Sequence, residues 1–290
     1  MTVLFLEDTF FMKRFFLITL LAQILFLPSL LMAEKTPAAA ISWKSLSPGL
    51  SFMRWPVQSA NGQENNLAVL RVDPEQWSFK VFFNKEPKSI EEWQQATGAA
   101  VICNGGYFQE NFLPAGRILA NGGSVGPLRN KAMKAMFLAE PKKGLNQLPK
   151  ATIIDLKDPD SEEKISFYEQ GIQSFPVLLD PRGQVRVNPS NFQDSRTVIA
   201  QDQTGMIYFM VAEKAFFTLF DLGNYLKALP LNLRFALNLD GGSKTQLLVR
   251  TGNYNFRLSG KSETSPAARF FISETVKLPS IIGLFPRGQH

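Results

Sequence analysis

Phe235-Ala236-Leu237-Asn238-Leu239-Asp240-Gly241-Gly242 is the stretch on which the reading of this chain turns. Five mainly apolar residues form a buried strand, and a carboxylate followed by two glycines ends it. A near copy stands upstream, where Ala99-Ala100-Val101-Ile102-Cys103 leads into Asn104-Gly105-Gly106. Glycine permits positive φ and close backbone approach, so successive N–H groups at such a strand end can converge on an anionic oxygen. Asn104 or Asp240 then sets an amide or a carboxylate on the same rim. A tight turn is the competing interpretation, because Asn-Gly and Asp-Gly are strong hairpin signals. It weakens for the second motif, which is followed by Ser243, Lys244 and Thr245 rather than by a return strand.

Outward from these motifs the pattern is mostly β. Residues 67–72 and 77–83 read as a strand pair. Similar runs recur at 117–119, 133–139, 151–156, 165–168, 177–179, 184–187, 196–200, 207–212 and 245–250. Two helices are clear. Ser89 and Glu92 have capping-box spacing and predict a helix over 90–97 that Gly98 closes. Thr218 and Asp221 repeat the spacing, and apolar residues at 219, 222, 226 and 229 make one core-facing stripe before Pro230. Residues 34–66, rich in Pro and Asn, read as a lead-in with at most one strand, and 67–290 as a single domain. The expected class is α+β, with mixed, largely antiparallel sheets and a few packed helices.

The N-terminus carries an export pattern. Lys13 and Arg14 precede an apolar run over 15–27, and Ala33 stands before the polar Glu34, as at a signal-peptide cleavage site. Residues 1–33 are therefore expected to be removed, leaving a periplasmic or secreted, non-lipidated protein with no membrane span. The formal net charge of +6 is spread among acids, with no basic stripe of the kind that nucleic acid selects. The single cysteine, Cys103, excludes an internal disulfide. The single histidine is His290, the last residue, which excludes Ser-His-Asp and Cys-His hydrolysis and histidine-ligated zinc. Acid–base chemistry is left first to carboxylates, and after them to Lys or Tyr. Gly260-Lys261-Ser262 imitates the end of a P-loop, but Asn255 stands where the motif needs glycine. No nucleotide cofactor is implied.

Four blocks, in order, resemble the phosphodiester glycosidase family, whose enzymes are N-acetylglucosamine-1-phosphodiester alpha-N-acetylglucosaminidase-like. Asn104-Gly105-Gly106-Tyr107-Phe108 is similar to its NGGYF block, and Gln173-Ser174-Phe175-Pro176-Val177-Leu178 to its QSGPLL block. Ser195-Arg196-Thr197-Val198-Ile199 resembles its RTAIG strand, and Leu237-Asn238-Leu239-Asp240-Gly241-Gly242 its LNLDGG block. The resemblance spans about residues 65–275. Phe175 and Ala200 replace family glycines, and Lys244 stands where small hydroxyl residues are common.

The resemblance implies a hydrolase that cuts a sugar-1-phosphodiester at the anomeric carbon and leaves a phosphomonoester, and the N-terminal pattern makes it an exported one. Asp240 is the expected essential carboxylate, as acid/base, nucleophile or metal ligand. Glycosidases use a carboxylate pair, and Glu110 and Glu213 are the candidates for its second member. Arg196 suits phosphate through its planar fork, and Asn104 suits a sugar hydroxyl or a cation. Substrate contacts are expected from Gly105, Gly106, Tyr107, Gln173, Ser174, Thr197, Gly241, Gly242 and Ser243. No cofactor is required, although Asp240 and Asn104 are hard oxygen donors compatible with Ca²⁺ or Mg²⁺. Two rivals stand beside this reading: a non-catalytic envelope protein that binds a glycan or polymer on the same rim, and a phosphodiesterase that cuts the P–O bond.

Overall fold

The computed structural model describes residues 42–58, 62, 64–120, 123–260 and 276–288. The expected signal peptide, Lys261 and Ser262 lie outside them. Three antiparallel sheets account for most of the described chain. The first has seven strands, in the order β1 (Lys44–Ser47), β2 (Leu50–Gln58), β3 (Glu64–Val72), β13 (Ile207–Phe217), β12 (Asp194–Asp202), β14 (Leu233–Asn238) and β11 (Val177–Leu179). The second runs β7 (Gly123–Val125), β6 (Ile118–Ala120), β10 (Tyr168–Ser174), β8 (Ala135–Pro141) and β9 (Ala151–Asp155). The third runs β16 (Tyr254–Ser259), β15 (Gln246–Thr251), β5 (Val101–Asn104), β17 (Leu278–Pro286) and β4 (Trp77–Lys88).

All three sheets turn one face to a common core. Leu70, Phe209 and Phe235 come from the first, Phe137 and Ile172 from the second, and Phe79 and Cys103 from the third. Each outer face carries one short helix. Helix α1 (Ile90–Thr97) sets Ile90 and Trp93 on the third sheet. Helix α2 (Ser161–Ser166) sets Ile165 on the second, and α3 (Leu219–Ala228) sets Leu222 and Leu226 on the first. Strand β12 is therefore buried on both faces, and all nine of its residues are buried. It reads as a run rather than an alternation for that reason.

The caps read from sequence are present. Ser89 accepts from the Glu92 N–H while the Glu92 carboxylate accepts from the Ser89 N–H, and Gly98 closes α1 at φ 68°. Thr218 accepts from the Asp221 N–H and starts α3. Other expectations need correction. The described residues are mostly β rather than α+β, 51% of them in strands and 12% in helices, because the helices only cover outer faces. The described part of 34–66 contains β1, β2 and the start of β3, more than the single strand expected, and it forms an edge of the largest sheet. Ile165 belongs to α2 and not to a strand, and 184–187 contributes only an isolated bridge from Val185 to Leu179. The described residues from Ser42 onward pack as one compact unit. Among the described residues no helix is long and apolar enough to cross a membrane.

Candidate active site

The two diglycine loops meet. Strand β5 ends at Asn104 and β14 at Asn238, and the Asp240 N–H donates to the Gly105 carbonyl at 3.3 Å. In return the Asn104 Nδ2 donates to the Asp240 carbonyl at 2.8 Å. Gly105 is required by proximity: a Cβ there would stand 2.3 Å from the Ser280 hydroxyl of β17. After the second loop the chain makes one 3₁₀ turn, Gly242–Lys244, rather than a hairpin.

Asn104 is wholly spent on the protein. Its Oδ1 accepts from the Thr197 hydroxyl at 2.8 Å and the Gln246 N–H at 3.1 Å, and its Nδ2 also donates to the Gly105 carbonyl at 3.2 Å. Two lone pairs and two hydrogens are all that an amide offers. It ties four segments together and has nothing left for a ligand, so a cation at Asp240 would have to be held without it. Among the described residues, no group of three or more acidic, histidine or cysteine side chains could hold a metal ion. Thr197 is spent on Asn104, and Ser174 donates to the Asn238 carbonyl at 2.6 Å, so both expected substrate contacts are fully buried stitches.

Asp240 is different. Its Oδ1 accepts from the N–H of Gly241 at 2.9 Å. Burial pushes its pKa up to about 7; the Asp194 charge adds to this, while the Gly241 N–H and Lys244 oppose it. A carboxyl that titrates near neutrality can carry a proton in either direction. Asp194 escaped the sequence reading. It begins β12 two residues before Arg196, its Oδ1 accepts from the Ser195 N–H at 2.9 Å, and its Oδ2 lies 2.9 Å from where a Gly242 Cβ would be. Gly242 has φ 61° and faces that carboxylate, so the position needs glycine twice over. Of the carboxylates proposed from sequence, Glu110 stands exposed in a turn, and the side chain of Glu213 lies outside the described residues.

Arg196 is only 6% exposed. Its Nε donates to the Phe217 carbonyl at 3.2 Å and its Nη2 to the Phe192 carbonyl at 3.0 Å. Its Nη1 has no acceptor among the described residues and lies 3.9 Å from the Cβ position of Gly241. Burial lowers the guanidinium pKa while Asp194 and Tyr107 raise it. The Phe192 ring, 55% exposed, stands 5.4 Å from the guanidinium carbon. Tyr107 is half-buried, its ring 4.6 Å from that of Phe175, so the residue replacing a family glycine fills the space beside it. Burial pushes the phenol pKa well up, with Asp240 adding to the shift and Arg196 opposing it. The phenol oxygen accepts from the Asn238 Nδ2 at 2.7 Å, which leaves its own hydrogen to donate. Lys244 stands 5.4 Å over the Phe108 ring. Ala200, the other glycine replacement, is buried mid-strand and paired with Tyr208 and Ala236.

The fold is shared with solved proteins. A zebrafish N-acetylglucosamine-1-phosphodiester alpha-N-acetylglucosaminidase catalytic domain, auto-inhibited by its pro-peptide, aligns with a TM-score of 0.57 at 17% identity, covering 85% of this chain and 87% of that one. A hypothetical protein from Synechocystis aligns with a TM-score of 0.58 at 16% identity over 85% of this chain, which spans 64% of the Synechocystis protein's length. No curated protein matches the chain. The family model for phosphodiester glycosidase matches residues 97–284, a span that takes in both diglycine loops, Asp194 and Arg196. The chain belongs to the phosphodiester glycosidase family.

Proposed function

We propose that this chain is an exported hydrolase that cleaves a sugar-1-phosphodiester of an envelope or extracellular glycan between the anomeric carbon and the phosphate oxygen. The reading is carried by one juxtaposition: the open Nη1 of buried Arg196 beside Gly241, next to a carboxyl of Asp240 that titrates near neutrality. Water adds to the anomeric carbon, the bond from that carbon to the phosphate oxygen breaks, and Asp240 accepts the water's proton. A phosphate departs readily, so a base for water serves this reaction better than a strong acid for the leaving group. The phosphate goes from one negative charge as a diester towards two as a monoester, so a cation already fixed beside it favours the transition state over the ground state. Arg196 supplies that cation, and Tyr107 a further hydrogen-bond donor. Asp194 raises the Asp240 pKa by like charge, and the exposed Phe192 ring offers the sugar an apolar face. The signal-peptide pattern of residues 1–33 supports export.

The test is hydrolysis of a glycosyl-1-phosphate methyl ester in ¹⁸O-labelled water by the chain and by Asp240→Asn. The label is expected in the sugar, and kcat/KM should fall about 10²–10⁴-fold in the variant, the range that a lost acid–base group gives. Label in the phosphate would mean P–O cleavage. Saturable binding without turnover would make the chain a glycan-binding protein.

A further inference from the structure

A cavity of about 450 Å³ opens on the flank of the first diglycine loop, outside the site described above. Its inner wall includes Gln173, whose backbone carbonyl lies 3.0 Å from the Cβ position of Gly106. The Gln173 Oε1 accepts from the Arg117 N–H at 3.0 Å, and its Nε2, without a partner among the described residues, is left to donate. Three lysines border the same cavity: Lys131 and Lys134 before β8, and Lys157 after β9. The hydrogen bond from the Leu156 N–H to the Lys134 carbonyl brings the two segments together. The Lys134 ammonium is held by the Lys131 carbonyl at 2.7 Å.

The acids of this cavity are already matched. Glu162 lies 3.1 Å from Arg117 and 3.9 Å from Arg129, while Asp158 lies 3.7 Å from Lys164. None of the three lysines has an ion-pair partner among the described residues, so the cavity keeps an excess of positive charge. Three lysines without a carboxylate partner among the described residues, and an amide donor, around one concavity suit an anion with several oxygens. From this we infer that the cavity is an accessory subsite for a phosphate on the aglycone, so that the substrate class is a glycosyl phosphodiester whose alcohol carries at least one further phosphate. This rests on the glycosidase reading and adds to it which alcohol is preferred.

Two esters of one sugar-1-phosphate separate the cases, one with methanol and one with glycerol phosphate, each assayed with the full chain and with Lys131→Glu/Lys134→Glu/Lys157→Glu. The wild type is expected to prefer the glycerol phosphate ester through KM. The triple variant should lose about tenfold in kcat/KM on that ester and stay within about twofold on the methyl ester, because solvated ion contacts are individually weak and sum to roughly one decade. The preference should also shrink as salt rises. Equal kcat/KM for the two esters, or a loss on both alike, overturns the subsite while leaving the hydrolase intact. If neither ester is turned over, the glycosidase reading fails, and calorimetry with tripolyphosphate decides the cavity alone. Binding by the wild type that the triple variant lacks supports it, and no binding by the wild type overturns it.

Discussion

The two diglycine loops look alike in sequence and touch in the fold, yet they use their polar residue in opposite ways. Asn104, 1% exposed, spends both lone pairs and both hydrogens on Thr197, Gln246, Gly105 and Asp240. Asp240 sits next to it, half-buried, with the Gly241 N–H on one oxygen and a pKa lifted to about 7. An amide whose every group is satisfied is framework, whereas a desolvated carboxyl with little to stabilise its charge is a candidate reagent. Both uses follow from one strand-end pattern. What separates them is what their hydrogen bonds leave over: Asn104 has four partners, whereas the Asp240 carboxylate has the Gly241 N–H.

The largest effect that would sharpen this contrast is on stability. Asn104→Ala leaves the Asp240 carbonyl, the Thr197 hydroxyl and the Gln246 N–H without their partner, all in or beside the core. Unmade buried hydrogen bonds cost about 1–3 kcal/mol each and are not additive, so a loss of about 3–5 kcal/mol is expected. In a chain of this size that lowers Tm by about 10 °C, measured by thermal unfolding. A variant that melts with the wild type but loses turnover would break the contrast, since Asn104 would then be serving substrate.

Asp240 should show the opposite sign. An ordinary carboxyl titrates near 3.9 when unfolded, and this one near 7 when folded. With the folded pKa above the unfolded one, the native state holds the proton more tightly. The stability this contributes is complete below about pH 4 and lost as pH rises through about 7. The full span corresponds to about 4 kcal/mol, and to about half that with solvent reaching the rim. Asp240→Asn cannot ionise, so its Tm should gain on the wild type steadily from pH 4 to pH 8. A constant difference across that range would show that Asp240 is not kept protonated by its surroundings.

How far the sequence reaches is visible in the same loops. The apolar runs, the caps at Ser89 and Thr218 and the strand-ending glycines are local features, and they were legible. The lead-in strands were missed because β1 and β2 acquire their pattern only beside β3, as the edge of a sheet that closes through β13. Asp194 was hidden for a similar reason. Nothing near it in the chain marks it, and its significance comes from Gly242, reached only through the fold. The cavity lysines are scattered through a charge-mixed sequence, and only the pairing of Glu162 and Asp158 elsewhere leaves them in excess. Asn104, conversely, looked like a ligand group because its type and position fit one. Sequence shows which groups are available, while hydrogen-bond partners decide which remain so.

The smallest effect concerns Phe192, on the Arg196 side of the site. An exposed phenylalanine ring gains nothing from water, and this one is anchored where the Arg196 guanidinium ends: its carbonyl accepts from the Arg196 Nη2 and its face lies over the charge. A sugar attached to a phosphate held by Arg196 would reach that ring. Aromatic contacts of this kind are worth of order 1 kcal/mol, so Phe192→Ala should raise KM about fivefold with kcat little changed, and Phe192→Tyr should restore it. Competition by inorganic phosphate separates this from damage to Arg196, because phosphate engages the guanidinium without the sugar. Its inhibition constant should be the same in wild type and Phe192→Ala. If phosphate inhibition weakens in parallel with KM, the ring acts by holding Arg196 in place, and the sugar face must be sought on Tyr107 instead.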